Sequence, residues 1–373
     1  IMLDKFMDEA AYKYKVGMQK LVYKPGLSVW EFMDAEVFKG LFKLDLFSSM
    51  KTHIGNYFKD ERLRQLLEFP VLFLGALPEK TPALYSLMNY ADICLGTWYP
   101  DGGMYKIVDG MYQLAISLGV EFQFNTEALH IVVNNKKAVA VQTESQSFPA
   151  DVVVGAADYH YVETALLSPE YQSYSASYWD SRDLAPSSLI FYLGLNKKLT
   201  NIQHHSLFFD VSFDTHAKAI YKNPQWPENP LFYVSCTSLT DSSVAPQGCE
   251  NLFILIPLAT NLADDTPERR ADYLDLVIER MELRLDQKIK NSIIFQKSFA
   301  GTEFKSEYHA FKGNAYGLSN TLMQTANLKP SIKSSKITNL YYAGQLTLPG
   351  PGVPPALVSG ELVASQIFKE QFS

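Results

Sequence analysis

Asn339-Leu-Tyr-Tyr-Ala-Gly-Gln-Leu-Thr-Leu-Pro-Gly-Pro-Gly-Val-Pro-Pro355 is the stretch on which the fold turns. Its opening lies within Ile337–Ala343, an apolar and aromatic run that predicts a short β-strand leading into Gly344 and Gln345. The segment Leu348–Pro355 then packs Pro349, Gly350, Pro351, Gly352, Pro354 and Pro355 around Val353. Turn formers at that density impose one bent path and let backbone come close to a ligand. Beyond it, Leu357, Val358, Leu362, Val363, Ile367 and Phe368 give Ala356–Phe368 a helical pattern, and prolines are tolerated at a helix start. Strand, tight loop and helix N-terminus together offer amide groups and a positive dipole end to an anion or an electron-rich ring. The same pattern also fits a plain structural turn, or one apolar segment, because residues 339–360 carry no charged side chain. Four prolines and four glycines within it argue against a membrane span.

The run from Asn339 to Pro355 resembles the C-terminal FAD signature of the bacterial carotenoid (phytoene/dehydrosqualene) desaturase family, within the wider group of two-domain FAD oxidoreductases that includes amine oxidases. The resemblance implies an α/β two-domain oxidoreductase of the amine-oxidase/phytoene-desaturase type, with a Rossmann-like FAD domain and a substrate domain of mixed sheet plus helices. It implies cofactor contacts at Gly344, Gln345, Pro349, Gly350, Gly352, Val353 and Pro354. Members of that family open with GxGxxG, where the pyrophosphate meets a helix N-terminus. This chain begins at Ile1 and contains no GxGxxG. The expectation is therefore a fragment with an incomplete FAD domain, short of roughly 100 residues of cradle.

Composition is that of a globular protein. At 373 residues the chain exceeds a usual single domain, and 47% apolar residues suffice for a core. A net charge of −7 with no basic cluster beyond Lys136-Lys137 and Lys197-Lys198 gives nucleic acid no footprint. Cys94, Cys236 and Cys249 form no CxxC, which favours a reducing compartment over a disulfide framework. The histidines show no HExxH or comparable spacing, so no metal is expected. Aromatic side chains are plentiful, 22 Tyr and 23 Phe, and serve core packing, a wide apolar cavity or a membrane-facing surface.

Taken in order, residues 1–99 read as the helical part of the substrate domain. Phe6, Ala10, Tyr14 and Met18 recur at helical spacing, and Phe38, Leu41, Phe42, Leu46 and Phe47 cluster beside Lys39 and Lys43, as core or as a lipid-facing surface. Ser28-Val-Trp-Glu-Phe32 resembles the family stretch whose acid faces the polyene, which places a catalytic role on Glu31. Asp60–Phe69 with its apolar continuation also resembles the substrate domain. Residues 100–184 read as part of the FAD domain. Trp98–Met104 precedes a helix that stops at Gly119, and the resemblance sets this segment, with Gly103, beside the flavin. Phe122–Phe124 predicts a strand, Leu129–Val133 and Ala138–Thr143 a hairpin, and Asp151–Asp158 a buried strand followed by small residues. By the same resemblance Ala128 abuts the adenine side. Residues 185–312 read as the substrate-domain sheet, from the strand-like runs Leu189–Leu195, Leu207–Phe213, Leu231–Cys236 and Leu252–Pro257, with Pro267–Asp286 a surface helix. Thr240–Gly248 reads as a structured loop, and Ser243 has no His–acid partner for a triad. Residues 313–373 complete the FAD-binding segment, entered through Lys329-Pro330, where relatives more often have Arg.

The resemblance implies FAD as cofactor and a flavin-borne desaturation of a long polyene, with a quinone or oxygen as acceptor. A substrate of that kind partitions into bilayer, which implies a cytoplasmic protein held peripherally at a membrane surface. Alternatives on the same scaffold are a carotenoid isomerase or saturase and an amine oxidase. From a different class comes a non-catalytic lipid-binding fragment.

Overall fold

The computed structural model describes residues 2–28, 31, 45, 48–73 and 75–372. The cluster of Phe38, Leu41, Phe42, Leu46 and Phe47 with Lys39 and Lys43 lies outside the described residues, as do Val29, Trp30 and Phe32 beside Glu31.

Among the described residues, helices of eight residues or more are α1 (Met2–Val16), α2 (Met50–Tyr57), α3 (Glu61–Glu68), α4 (Tyr105–Ser117), α5 (Tyr159–Leu166), α6 (Phe213–Tyr221), α7 (Pro267–Leu285), α8 (Gly301–Tyr308) and α9 (Val353–Phe372). Strands are β1 (His130–Asn134), β2 (Lys137–Gln142), β3 (Ser147–Pro149), β4 (Val153–Gly155), β5 (Ser187–Leu195), β6 (His205–Phe208), β7 (Phe232–Ser235), β8 (Glu250–Leu258), β9 (Ile293–Phe299) and β10 (Leu340–Tyr342).

The chain divides into two compact units. The first joins Ile1–Thr97, Asn125–Pro186 and Ser306–Ser373. In it β1, β2 and β3 form an antiparallel sheet, and the β1–β2 turn places Asn135 and Lys136 at positive φ, as a two-residue hairpin requires. Strand β10 pairs in parallel with β4, matching Leu340 to Val153 and Tyr342 to Gly155. Asp158 caps α5 through the Tyr161 amide, so the small residues after β4 turn the chain into a helix. Its main core gathers Trp179, Tyr159, Val162, Leu340 and Tyr342, with Tyr159 stacked on Tyr342 at 3.8 Å. A second cluster packs α9 through Val358, Leu362 and Val363 onto Tyr341, Leu348 and Ile332. Phe6, Met50, Ile54 and Leu67 join α1, α2 and α3.

The second unit joins Trp98–Phe124 to Ser187–Lys305. Its sheet runs β6-β7-β8-β5-β9, and each pairing is antiparallel. Alternation sends Leu189, Phe191, Leu193 and Leu195 of β5 and Leu252, Ile254 and Ile256 of β8 to one core with Leu274, Val277, Ile278, Met281 and Leu285 of α7. Thr266 caps α7 at its start and Asp286 closes it in the left-handed conformation. Two readings of the sequence change here. The run Leu207–Phe213 is strand only to Phe208, because Ser212 caps α6 and Phe213 opens that helix. Phe122–Phe124 is not a strand: no ladder partner runs beside it among the described residues, and Phe122 and Phe124 instead pack against Tyr112.

Candidate functional site: the loop between β10 and α9

The site begins with Asn339. Its side-chain amide donates to the carbonyls of Ala138 (2.8 Å) and Asp151 (2.6 Å), while its oxygen accepts from the Ala138 amide (2.7 Å). One buried side chain thus ties the entry of β10 to β2 and to the approach to β4. Strand β10 is buried throughout: Tyr342 donates to Glu163, which also accepts from the Ser173 and Tyr174 amides. Burial pushes the Glu163 carboxyl above its ordinary value. The strand therefore delivers the loop from a rigid base.

From Gly344 to Pro355 the chain is held at its ends. Gly344 donates its amide to Ser359 of α9 (3.0 Å), Gln345 donates to Asn314 (3.2 Å), and Thr347 donates its hydroxyl to the Pro330 carbonyl (2.6 Å). Pro349 follows a cis peptide, and Gly350 and Gly352 take φ values of +135° and +114°. The Gly352 carbonyl accepts from the Ala356 amide, closing the first turn of α9. Pro354 and Pro355 lack amide hydrogens, so the amides at this helix end are those of Gly352 and Val353, and Val353 is half exposed. Gly317 presses on the loop from below: a Cβ there would stand 2.5 Å from the Gln345 carbonyl, and its φ is +75°. The seven loop residues expected to contact a cofactor thus lie on one segment anchored near both of its ends.

Two residues absent from that expectation lie against the loop. A side chain at Gly350 would begin 3.3 Å from Lys329 Nζ and 3.6 Å from Asn320 Oδ1. Both of those atoms are buried and have no hydrogen-bond partner among the described residues. Burial pushes the Lys329 ammonium down to about 8. A cradle kept clear by glycine, with an orphaned cation and an orphaned carbonyl against it, fits the polar edge of a flavin ring. The sequence signal for Lys329 was its place before Pro330 where a basic residue is expected; Asn320 carried no signal at all.

The other predicted positions lie elsewhere. Ala128 is in the first unit, partly buried against its main core. Gly103 is in the second unit at φ +99°, next to Gly102, whose amide donates to Asp241 (2.7 Å). Asp241 also accepts from Ser243 Oγ (2.6 Å), so that hydroxyl is engaged in closing the Thr240–Gly248 loop. Glu31 accepts from the amides of Gly26 (2.8 Å), Leu27 (3.0 Å) and Ser28 (3.0 Å), and Lys24 donates to its carbonyl. Glu9, Asp45 and His53 also gather their ligand-type atoms, but Lys13 Nζ stands 2.9 Å from Asp45 and already supplies a cation there. In the second unit a cavity of about 410 Å³ is lined largely by apolar side chains, among them Tyr192, Val244, Phe253, Ile294 and Phe295.

Comparison with known proteins supports a flavin as the cofactor. The model of flavin containing amine oxidoreductases matches residues 25–368. Over 370 residues the chain is 35% identical to a carotenoid 3,4-desaturase of Haloarcula japonica, covering 98% of this chain and 74% of that protein. It is 28% identical to a phytoene desaturase of Fusarium fujikuroi, covering 98% and 68%. The crystal structure of an oxidoreductase from Methanosarcina mazei superimposes with a TM-score of 0.58 at 16% identity, over 91% of this chain and 73% of that one, a likeness of fold.

Proposed function

The chain belongs to the flavin containing amine oxidoreductase family, and on that premise we propose that it is an FAD-dependent carotenoid desaturase, which introduces C=C bonds into a long polyene of the phytoene or dehydrosqualene type. The observation that carries this reading is the likeness to the Haloarcula japonica carotenoid 3,4-desaturase, which extends over nearly the whole chain.

When bound, FAD would accept the hydride removed from a C–H bond on one carbon, with a proton lost from the neighbouring carbon as the C=C bond forms. The chain's own residues bind and orient. Gly344, Gln345, Pro349, Gly350, Gly352, Val353 and Pro354 hold the cofactor's ring through a rim braced by Ser359, Asn314 and Pro330. Gly103 and Ala128 are further contacts of the cofactor in this reading. The apolar cavity beside Tyr192, Phe253 and Phe295 is the kind of surface that aligns a rigid hydrocarbon and excludes water from it. Glu31 is the acid proposed to face the polyene; pinned by three amides, it acts on a developing cation through its fixed negative charge. Such a substrate resides in bilayer, so the enzyme works at the cytoplasmic surface of a membrane and passes electrons to a quinone or oxygen. No helix among the described residues is long and apolar enough to cross one.

The test is incubation of the FAD-loaded protein with phytoene and with dehydrosqualene in liposomes, under a quinone or oxygen. A red-shifted polyene spectrum is expected from one of them. Bound flavin with neither spectrum changed would move the reading to an isomerase, a saturase or an amine oxidase, and failure to take up flavin would leave a lipid-binding protein. Glu31→Gln belongs in the same assay: product formation should fall while flavin content stays constant.

A further inference from the structure

Lys329 is 5% exposed, and its ammonium finds no acceptor among the described residues. An unpaired buried charge is costly and persists where something outside the chain complements it. Its neighbours are satisfied: Pro330 accepts from Thr347, Ser331 from Tyr159, and Ser319 from Gln324. Asn320 Oδ1 is the other atom left over, and it lies against the same glycine as the amine. A donor and an acceptor left open on one strip of backbone match a ring whose edge carries both carbonyl and N–H groups. The flavin ring has such an edge, and two-electron reduction adds negative charge to it.

We propose that Lys329 is a charged contact of the flavin ring at Gly350, joined there by the Asn320 carbonyl, and that its ammonium favours the reduced ring over the oxidised one. The inference rests on the flavin reading above and extends it to a residue outside the glycine–proline run. The positive end of α9 acts in the same sense, but Pro354 and Pro355 leave it few amides to offer. A full charge from the neighbouring segment is then the larger electrostatic influence on the ring.

Two variants test it. Lys329→Met keeps the stem and removes the charge; Lys329→Arg keeps the charge. In the FAD-loaded protein, Lys329→Met should weaken the preference for reduced over oxidised flavin about tenfold, which lowers the two-electron potential by about 30 mV, and Lys329→Arg should recover most of it. In the flavin-free protein, Lys329→Met should raise the melting temperature, because it removes an uncompensated buried charge. An unchanged potential in flavin-loaded Lys329→Met overturns the proposal, as does a lower melting temperature in its flavin-free form, which would mean that the amine has a partner within the chain. If the parental protein takes up no flavin, the functional reading fails and this inference with it; a loaded protein with an unmoved potential fails this inference alone.

Discussion

Asn339 shows how much one side chain can organise. It makes three hydrogen bonds from a buried position, each to backbone of another segment. Asn339→Leu keeps the volume but leaves an amide and two carbonyls unpaired in the core. The expected loss is on the order of 3 kcal/mol by chemical denaturation, since each orphaned buried group costs roughly 1–3 kcal/mol and neighbours relax in part. An unchanged midpoint would mean that β10 is anchored by its tyrosines alone. Nothing in the sequence marks Asn339 for this role, because its partners Ala138 and Asp151 are distant in the chain and the link exists only once β10 lies beside β4. The loop glycines were legible for the opposite reason: their backbone requirement is local and written in residue type. Lys329 falls between, visible as a basic residue before proline, with its missing partner visible only in the fold.

At the scale of elements, the strand–loop–helix unit was readable almost to its ends. The predicted helix Ala356–Phe368 is α9, Val353–Phe372, and the predicted strand Ile337–Ala343 contains β10. Strand β9 was not read, because it is a sheet edge whose central Phe295, Gln296 and Lys297 are exposed and break the apolar alternation. The brace under the loop gives a prediction that belongs to this scale. Gly317→Ala sets a Cβ against the Gln345 carbonyl in a left-handed conformation, so the loop must shift. The variant should lose about 2–3 kcal/mol of stability and bind FAD at least tenfold more weakly by fluorescence titration. Gly360→Ala is the matched control. It lies within α9, a Cβ there meets nothing within 4 Å, and helix propensity alone should stabilise it by about 0.5–1 kcal/mol. Equal behaviour of the two would remove the case for a braced loop.

Across the whole molecule, the second compact unit carries a buried histidine that should make it sensitive to acid. His216 lies in the core of the second unit, where Nε2–H donates to the Pro257 carbonyl (2.8 Å) and Nδ1 accepts from the Leu231 amide (2.9 Å). The bond from Leu231 needs the neutral ring, and burial pushes its pKa down to about 4 from 6.5. The folded state thus binds this proton less readily than the unfolded chain. Stability is complete above pH 6.5 and is lost as pH falls from there to about 4, by roughly 3 kcal/mol. Calorimetry between those values should show the transition of the second unit moving to lower temperature. His216→Gln, which can still donate and accept, should flatten that dependence; a slope unaffected by the substitution would assign it to other groups.

The sequence by itself determined the local grammar of the protein. Prolines and glycines bend one loop, alternation makes strands β5 and β8, a 3.6-residue stripe makes α7, and the run from Asn339 to Pro355 points to a flavin. The bends, strands and helix depend on backbone sterics and periodicity, which act over a few residues, whereas the flavin is implied by the resemblance of that run to a known family. Tertiary structure alone decided that Ile1–Thr97 gathers with Asn125–Pro186 and Ser306–Ser373, that Asn339 clamps two other segments, and that Lys329 Nζ and Asn320 Oδ1 stand against Gly350 without hydrogen-bond partners among the described residues. Burial and hydrogen-bond satisfaction are properties of a whole neighbourhood, assembled from residues up to about two hundred positions apart in the chain.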